Sequence, residues 1–379
     1  MARKSRLTVN RKILRDMLSL PTAPFAEHHV MGYVERFCAR RKKVTLRRDP
    51  VGNLLVRLRQ GKRRIARPVC ITAHLDHPGF VVDKMVSRRR LRANWRGGVP
   101  KEYFVGSQVR FFVDGTWVRG RVRSVKTVTR NKRRRVDTAL VDVPGEVPPG
   151  SIGMWDLPDP RVLGTRIHAR PCDDLSGAAA MICTIGELVR RRYTCDAYFL
   201  FTRAEEVGFA GAIAAARKKT IPSKCYIVAM ENSTELSHAR MGDGPILRVG
   251  DRASVFTPAV TAYCHQIARD LAAADRRFRC QRKLMDGGMC ESSAYCTLGY
   301  EATGVCFALG NYHNVDTKRK KIAPEYIDLH DFDNAVKWFV ELARAARPYT
   351  GRDDALRAQL HDLERSYKTL LRSSRSRPC

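Results

Sequence analysis

Apolar runs alternate with amphipathic segments along most of the chain, which predicts a sheet with helices on both of its faces. Short apolar runs indicate buried strands, whereas apolar residues that recur every three to four positions indicate helices. We expect strands at 51–58, 68–73, 197–201, 224–230, 244–249, 278–283 and 302–309, and helices within 9–40 and at 173–191, 257–274, 291–298 and 324–346. This alternation is typical of a doubly wound α/β fold.

The pattern changes between residues 85 and 164. Alternating runs at 108–113, 117–122 and 139–143 are separated by Gly, Pro and charged residues, and helical periodicity is hard to find. This pattern is typical of a small all-β domain inserted into the first one. We therefore expect one discontinuous domain over residues 1–84 and 165–348. Residues 349–379 are expected to form a basic, amphipathic tail helix.

The composition, 44% hydrophobic and 28% charged residues, fits a soluble globular protein. An uncharged apolar run of the length that crosses a membrane is not found, and the basic N-terminal segment has no apolar core like that of a secretory signal. The 12 cysteines include no C-x-x-C pair, and several lie in apolar runs. Free thiols of this kind predict a reducing compartment, the cytoplasm.

The formal net charge of +32 is unusual. Clustered Lys and Arg side chains can bind polyanions by releasing counterions, and the densest patches lie at 62–64, 88–90 and 132–135. However, no interleaved aromatic residues or nucleic-acid motif accompany them. We therefore interpret the charge as a surface property that affects solubility, and we do not expect a nucleic-acid partner.

Acidic and imidazole side chains follow several predicted strands or begin a predicted helix. They are His74, Asp76, Asp173, Glu205, Glu206, Glu231 and His313. In an open α/β sheet, groups just beyond the carboxyl ends of the strands converge on one crevice. Without Asp76 and Glu205, the set supplies two imidazoles and three carboxylates, which can hold two divalent ions if one carboxylate bridges them. Nitrogen and oxygen ligands without thiolates suit zinc, manganese or cobalt.

Each of these residues also has a purely structural explanation. His74 could be a satisfied core histidine, Asp173 could be a helix N-cap, and Glu231 and His313 could be exposed. Asp76, however, can accept the second ring proton of His74, as carboxylates do for metal-bound imidazoles.

The adjacent carboxylates of Glu205 and Glu206 are costly to place together without a cation or a proton. We therefore interpret Glu205 as a general base and Glu206 as a metal ligand. In that arrangement one carboxylate is committed to a metal and its neighbour stays free to carry a proton.

The motifs around these residues resemble those of the co-catalytic metallopeptidases of the aminopeptidase clan. They are His74-x-Asp76, Asp173-x-x-Ser176-Gly177, Glu205-Glu206-Val207-Gly208-x-x-Gly211-Ala212, Glu231 and a late His313. Within that clan, Ala73-His74-x-Asp76-x-x-Gly79-Phe80 and Gly242-x-Gly244-Pro245 are most similar to the glutamyl, or tetrahedral (TET), aminopeptidase family. The expected insert lies before Asp173, as in that family, whereas carboxypeptidase and deacylase relatives carry a later dimerisation domain.

The resemblance implies a mixed sheet flanked by helices, an inserted β-barrel and an aminopeptidase that acts on peptides. It implies two divalent ions, most often zinc, bridged by Asp173. His74 and Glu231 would complete one ion site, Glu206 and His313 the other, and Glu205 would be the base. Members often form large homo-oligomers.

Several positions depart from the family pattern. His77-Pro78 stands in place of Glu-Ile, Asp174-Leu175 in place of Asn-Arg, and Met289-Cys290-Glu291 in place of Thr-Asp-Ala, while Gly310-Asn311-Tyr312 precedes His313 in place of Arg-Tyr-Ile. Two other functions therefore stay open: a metal-dependent deacylase or dipeptidase on small amides, and a basic binding protein with a vestigial site.

Overall fold

The structure, a computed structural model, describes residues 2–130 and 133–375. The helices are α1 (Ala2–Leu18), α2 (His28–Ala39), α3 (Cys172–Arg190), α4 (Ala210–Arg217), α5 (Pro258–Ala274), α6 (Glu291–Thr297), α7 (Leu329–Arg344) and α8 (Asp354–Ser374). The strands are β1 (Val44–Arg48), β2 (Leu54–Gln60), β3 (Val69–His74), β4 (Gly79–Ser87), β5 (Arg90–Arg96), β6 (Gln108–Val113), β7 (Thr116–Arg130), β8 (Arg133–Asp142), β9 (Ile152–Trp155), β10 (Arg161–Leu163), β11 (Arg166–Ala169), β12 (Cys195–Thr202), β13 (Tyr226–Thr234), β14 (Ile246–Asp251), β15 (Gln281–Met285), β16 (Ala302–Leu309), β17 (Val315–Asp316), β18 (Lys321–Ile322) and β19 (Glu325–Asp328).

The main sheet has eight strands in the order β1-β2-β12-β3-β13-β16-β14-β15. Its central strands β12, β3, β13 and β16 run parallel to one another. The flanking strands β2 and β14 are antiparallel to the central group. The carboxyl ends of the four central strands therefore lie at one edge of the sheet.

Both faces of this sheet are covered, which explains why its central strands are continuous apolar runs. On one face, Ile71 of β3 belongs to a core cluster with Met181 of α3. On the other face, Cys70 of the same strand belongs to a cluster with Ala215 of α4. Helices thus pack on both sides, and the predicted mixed α/β class is confirmed.

A closed barrel is formed by β4, β5, β8, β7, β6 and β9. Its core is aromatic: the Phe80 and Trp95 rings lie 4.6 Å apart, and the Phe104 and Trp155 rings lie 5.2 Å apart. The expected boundary between residues 84 and 85 falls inside β4, the first barrel strand. Because β4 begins at Gly79, shortly after β3 ends, the barrel lies close to that end of the sheet.

One predicted helix begins later than the pattern indicates. Residues 325–328 form strand β19, which pairs antiparallel with β11, and α7 begins only at Leu329. The Asp328 carboxylate accepts a hydrogen bond from the His330 N–H and so caps α7. The prediction of one helix over 324–346 was therefore wrong at its start.

The tail helix is α8, and every residue from Asp354 to Arg375 is exposed. Residues 132 and 376–379, which belong to the predicted basic patch and tail, lie outside the described residues. Among the described helices, none has the length and apolar character needed to cross a membrane.

Candidate metal centre

The carboxyl ends of the central strands bring the predicted site residues together. His74 is the last residue of β3 and lies opposite Thr202, the last residue of β12. In β13, Ala229 lies opposite Thr72, so Glu231 falls at the level of His74. Asp173 lies at the start of α3, and His313 lies in the turn that follows β16. All five predicted metal ligands therefore face one region.

Asp173 lies between the two imidazoles. Its Oδ1 is 3.3 Å from His74 Nε2, and its Oδ2 is 3.8 Å from His313 Nε2. Glu231 Oε1 lies 3.5 Å from His74 Nε2, and Glu206 Oε2 lies 2.9 Å from His313 Nε2. Within each trio, His74–Asp173–Glu231 and Asp173–Glu206–His313, the potential ligand atoms lie within 4.8 Å of one another.

The chemistry of these atoms fits metal ions. His74 Nε2, Asp173 Oδ1, Glu206 Oε1 and His313 Nε2 are buried and make no hydrogen bond within the described part of the chain. Even the short contact between His313 and Glu206 lacks the alignment of a hydrogen bond. Buried polar atoms without partners are costly, and these are the atoms through which imidazoles and carboxylates bind divalent cations.

Glu205 faces the same region, with Oε2 4.0 Å from His74 Nε2. The distances also allow a trio of His74, Glu205 and Glu206. The distances alone therefore do not show whether Glu205 is a metal ligand or a general base.

Several buried carboxylates lie close together in this cluster, and their negative charges shift the pKa values of the site residues. Burial, together with the Glu231 and Glu206 carboxylates, raises the pKa of Glu205 well above its usual value, although His74 opposes this. Burial and Glu231 raise the pKa of Asp173 to about 8. Burial lowers the pKa of His313, but the Glu206 and Asp173 carboxylates and the backbone of Gly98 together raise it to about 10. A divalent cation would relieve this repulsion.

Asp76 holds the Glu205–Glu206 turn. Its Oδ1 accepts a hydrogen bond from the Glu205 N–H over 3.0 Å, and its Oδ2 accepts one from the Glu206 N–H over 3.1 Å. The His74 ring instead contacts the main-chain oxygen of Asp76, 3.1 Å from Nδ1. Asp76 therefore orients both glutamates through its carboxylate and the imidazole through its backbone.

Glycine is needed at two positions of the same motif for steric reasons. A Cβ atom at Gly211 would lie 2.4 Å from the main-chain oxygen of Arg203, so only glycine allows this approach. Gly208 has φ +118°, a conformation that other residues rarely adopt. The turn also receives outside support, because the buried Glu27 carboxylate accepts hydrogen bonds from Arg203 Nε and from the Ala204 N–H.

Glu325 is a buried carboxylate that the sequence pattern did not identify. Its Oε2 accepts a hydrogen bond from the Asp173 N–H over 3.0 Å, and its Oε1 accepts one from the His313 N–H over 2.8 Å. On the far side of His313, Nδ1 lies 2.9 Å from the main-chain oxygen of Gly98, in the barrel segment after β5. The barrel thus contributes directly to the orientation of this imidazole.

Two of the departures from the family pattern are buried beside the site. His77 Nδ1 lies 2.6 Å from the main-chain oxygen of Asp173, and burial lowers the pKa of this imidazole well below its usual value. Glu291 accepts a hydrogen bond from the Thr202 hydroxyl over 2.5 Å, and burial raises its pKa to about 7. His77 therefore supports the start of α3, and Glu291 supports the end of β12, both next to the cluster.

A pocket opens beside Asp173, Glu205 and Glu231 and continues to Arg248 of β14. Arg248 is only 2% exposed. It donates to Ser233 Oγ over 3.0 Å, but its Nε has no hydrogen-bond partner and it forms no ion pair with any described carboxylate. A buried cation therefore lies in a pocket next to the candidate metal centre.

Comparison with known proteins identifies the class of protein to which this fold and this cluster of side chains belong. A family model described as M42 glutamyl aminopeptidase matches residues 52–321. A protein from Acetivibrio thermocellus, provisionally described as an aminopeptidase, is 25% identical over 305 residues, covering 77% of this chain and 86% of its own.

Solved structures share the fold. The TET1 peptidase of Pyrococcus horikoshii superposes with a TM-score of 0.71 at 20% identity, covering 88% of this chain and 99% of that one. An aminopeptidase from Desulfurococcus kamchatkensis superposes with a TM-score of 0.72 at 21% identity, covering 90% and 96%.

These findings define the protein as a peptidase, a hydrolase of peptide bonds. The chain belongs to the M42 glutamyl aminopeptidase family, and the resemblance drawn from its motifs is confirmed.

Proposed function

We propose that this protein is an aminopeptidase that uses two divalent ions to hydrolyse the first peptide bond of its substrates. The observation that carries the proposal is the position of Asp173, whose two oxygens face different imidazoles, His74 and His313. A carboxylate in that position can bridge two ions. Neither a single-ion site nor a vestigial site accounts for both buried, unpartnered imidazole nitrogens.

In this proposal His74 and Glu231 hold one ion, Glu206 and His313 hold the other, and Asp173 holds both. The donor set suits zinc, with cobalt or manganese as alternatives. When bound, such ions supply Lewis acidity that activates a water molecule and polarises the scissile carbonyl. Asp76 and Glu325 accept hydrogen bonds from the main chain of the proposed ligands and so keep the ligands in place, as groups behind metal ligands commonly do.

Glu205 is proposed as the general base. It accepts a proton from the attacking water on its carboxylate and later delivers that proton to the amine nitrogen that leaves. Its position supports this role, because Oε2 lies 4.0 Å from His74 Nε2, beside the proposed ligands. Asp76 supports the step by fixing the main chain on either side of the Glu205–Glu206 peptide bond.

The pocket that leads to Arg248 is proposed to receive the side chain of the first substrate residue. Removing a charge from water is costly unless a partner compensates for it, and the described residues offer Arg248 no ion pair. A carboxylate on the substrate would supply that partner, so we expect a preference for N-terminal Glu or Asp. The description of the family as glutamyl aminopeptidases supports this expectation.

The division into domains, the oligomeric state and the cellular location are part of the same proposal. We place a catalytic domain over residues 1–84 and 165–348, an inserted domain over 85–164 and a tail helix beyond 349. The closed barrel, with strands from Gly79 to Trp155, supports that division. We also propose a cytoplasmic homo-oligomer, since the TET1 peptidase of Pyrococcus horikoshii is described as assembling into a tetrahedron or an octahedral shell.

An activity screen tests the proposal. The purified protein is incubated with Glu, Asp, Leu and Lys p-nitroanilides and with the matching N-acetylated amino acids, before and after chelation, and then with added zinc, cobalt or manganese. We expect metal-dependent release of p-nitroaniline, and only from substrates with a free α-amine. Cleavage of the N-acetyl compounds alone would instead favour a deacylase, and activity that survives chelation would exclude the metal mechanism.

A further inference from the structure

Helix α8 carries an apolar stripe that no described part of its own chain covers. Leu356, Leu360, Leu363, Tyr367 and Leu370 are between 47% and 63% exposed, and Leu371 beside them is 65% exposed. An amphipathic helix normally buries such a stripe against a core. None of the helix's residues is buried, and the matched family region ends before it, at residue 321.

The spacing of the stripe indicates what kind of partner it fits. The intervals from Leu356 to Leu370 are four, three, four and three residues, the 3.5-residue repeat of a coiled coil. A stripe that packs on a globular core follows the 3.6-residue period and is broader. The geometry points to another helix with the same repeat, and we propose that α8 pairs with the α8 of a second copy of this chain, in antiparallel orientation.

Charge favours a second copy over a polyanion. Between Asp354 and Ser374 the helix has four Lys or Arg and three Asp or Glu residues, a formal charge of +1, whereas the whole chain carries +32. A nucleic-acid or anionic-membrane site requires a strongly basic face, which this helix lacks. With a charge so close to zero, this helix can meet a copy of itself without strong repulsion.

Charge also selects the antiparallel orientation. If Leu360 packs against Leu363 of the second copy, Leu356 meets Tyr367 in the next layer, and two symmetry-related Arg357–Glu364 pairs lie along one edge of the seam. Neither Arg357 nor Glu364 forms an ion pair with another described residue, so both are available for the pair. A shift by one heptad would bring Glu364 against Glu364, and a parallel pair would place it beside Gln359.

The antiparallel arrangement also separates the two basic bodies. A helix of 21 residues is about 30 Å long, and antiparallel pairing attaches one body near each end of it. Parallel pairing would bring both bodies to the same end. The symmetric contact closes on itself, as expected of a twofold interface.

Sedimentation velocity on the full chain over a range of concentrations tests this pairing. Replacing Leu360 and Leu363 with Glu should abolish the stripe-dependent association, which shows as a lower mass at every concentration where the unmodified chain associates. The control carries Ala358→Glu and Thr369→Glu, which add the same charge on the opposite face, and it should keep the original mass. Circular dichroism and peptidase activity should be the same in both variants, because α8 is exposed along its length and contributes no residue to the site.

A charge exchange tests the orientation. Glu364→Arg should weaken the association roughly two- to thirtyfold, since each twofold pair contains two such contacts, and adding Arg357→Glu should restore it. A failure of the second change to restore association would overturn the antiparallel pairing. Equal masses for the stripe variant and its control would overturn association through α8, and wild-type binding to anionic vesicles without a change in mass would assign the stripe to a membrane surface instead.

Discussion

The carboxylate of Glu325 accepts a hydrogen bond from the main-chain N–H of Asp173 over 3.0 Å. Its second oxygen accepts a hydrogen bond from the N–H of His313 over 2.8 Å. Asp173 is the proposed bridge between the two ions, and His313 is proposed to bind only one of them. Glu325 therefore fixes the main chain of the proposed bridge relative to that of His313.

Glu325→Gln should weaken metal binding while leaving the fold intact. The amide retains only one oxygen acceptor, and its NH2 group would face a main-chain N–H, so one of the two hydrogen bonds is lost. Loss of a partner behind a metal ligand typically costs 10–100-fold in affinity or activity, and we expect that range here. Zinc competition with a chromophoric chelator measures the affinity directly.

The matched control for this change is Glu146→Gln, at an exposed position in the segment after β8. It removes the same charge far from the centre and should leave zinc affinity unchanged. If Glu325→Gln also bound zinc like the unmodified protein, the positioning role of Glu325 would be excluded.

Arg248→Met should change the substrate preference. The substitution removes the buried cation from the pocket but keeps an unbranched side chain of similar length. If the pocket receives a substrate carboxylate, kcat/KM for Glu p-nitroanilide should fall by roughly 30-fold or more, whereas the value for the Leu substrate should hold or rise. Exposed Arg252→Met is the control for loss of charge nearby. A parallel fall for both substrates would show that Arg248 supports the structure without selecting the substrate.

Gly211→Ala should destabilise the turn that carries the two glutamates. The added methyl group would meet the Arg203 main-chain oxygen at 2.4 Å, which the chain can avoid only by moving the backbone. Such overpacking typically costs about 1–3 kcal/mol, visible as a lower urea midpoint and reduced activity. Gly145→Ala is a suitable control, since no atom lies within 4 Å of the added group, and its midpoint should not change.

Much of the fold and the proposed ligands could be predicted because the signals are local. The run from Ala302 to Leu309 is apolar except for Thr303, and the structure makes it β16 with these bounds. His74 directly follows such a run and Glu205 comes shortly after another, and parallel strands bring their carboxyl ends to one edge whatever the details of packing. It was therefore sufficient to know which runs form buried parallel strands, and where each strand ends, to predict that these residues share one crevice.

The supporting residues depend on contacts between distant parts of the chain. Glu325 lay in a segment predicted as helix, because an apolar pattern continues from Tyr326 into α7; only the capping signal at Asp328 marked the true start. Arg248, within Ile246-Leu247-Arg248-Val249, looks like the outward-facing residue of an alternating strand. Its burial results from Ser233 and Met285, which approach it from β13 and β15.

The division of roles between Glu205 and Glu206 is the central claim, and metal content measured together with turnover in Glu205→Gln tests it most directly. The account predicts that this variant retains two divalent ions per chain while kcat falls by about 10²–10⁴-fold, because the ligands remain and only the proton carrier is lost. Glu206→Gln, in contrast, should lose metal. Turnover near that of the unmodified protein in Glu205→Gln, or loss of bound metal from it, would contradict the account.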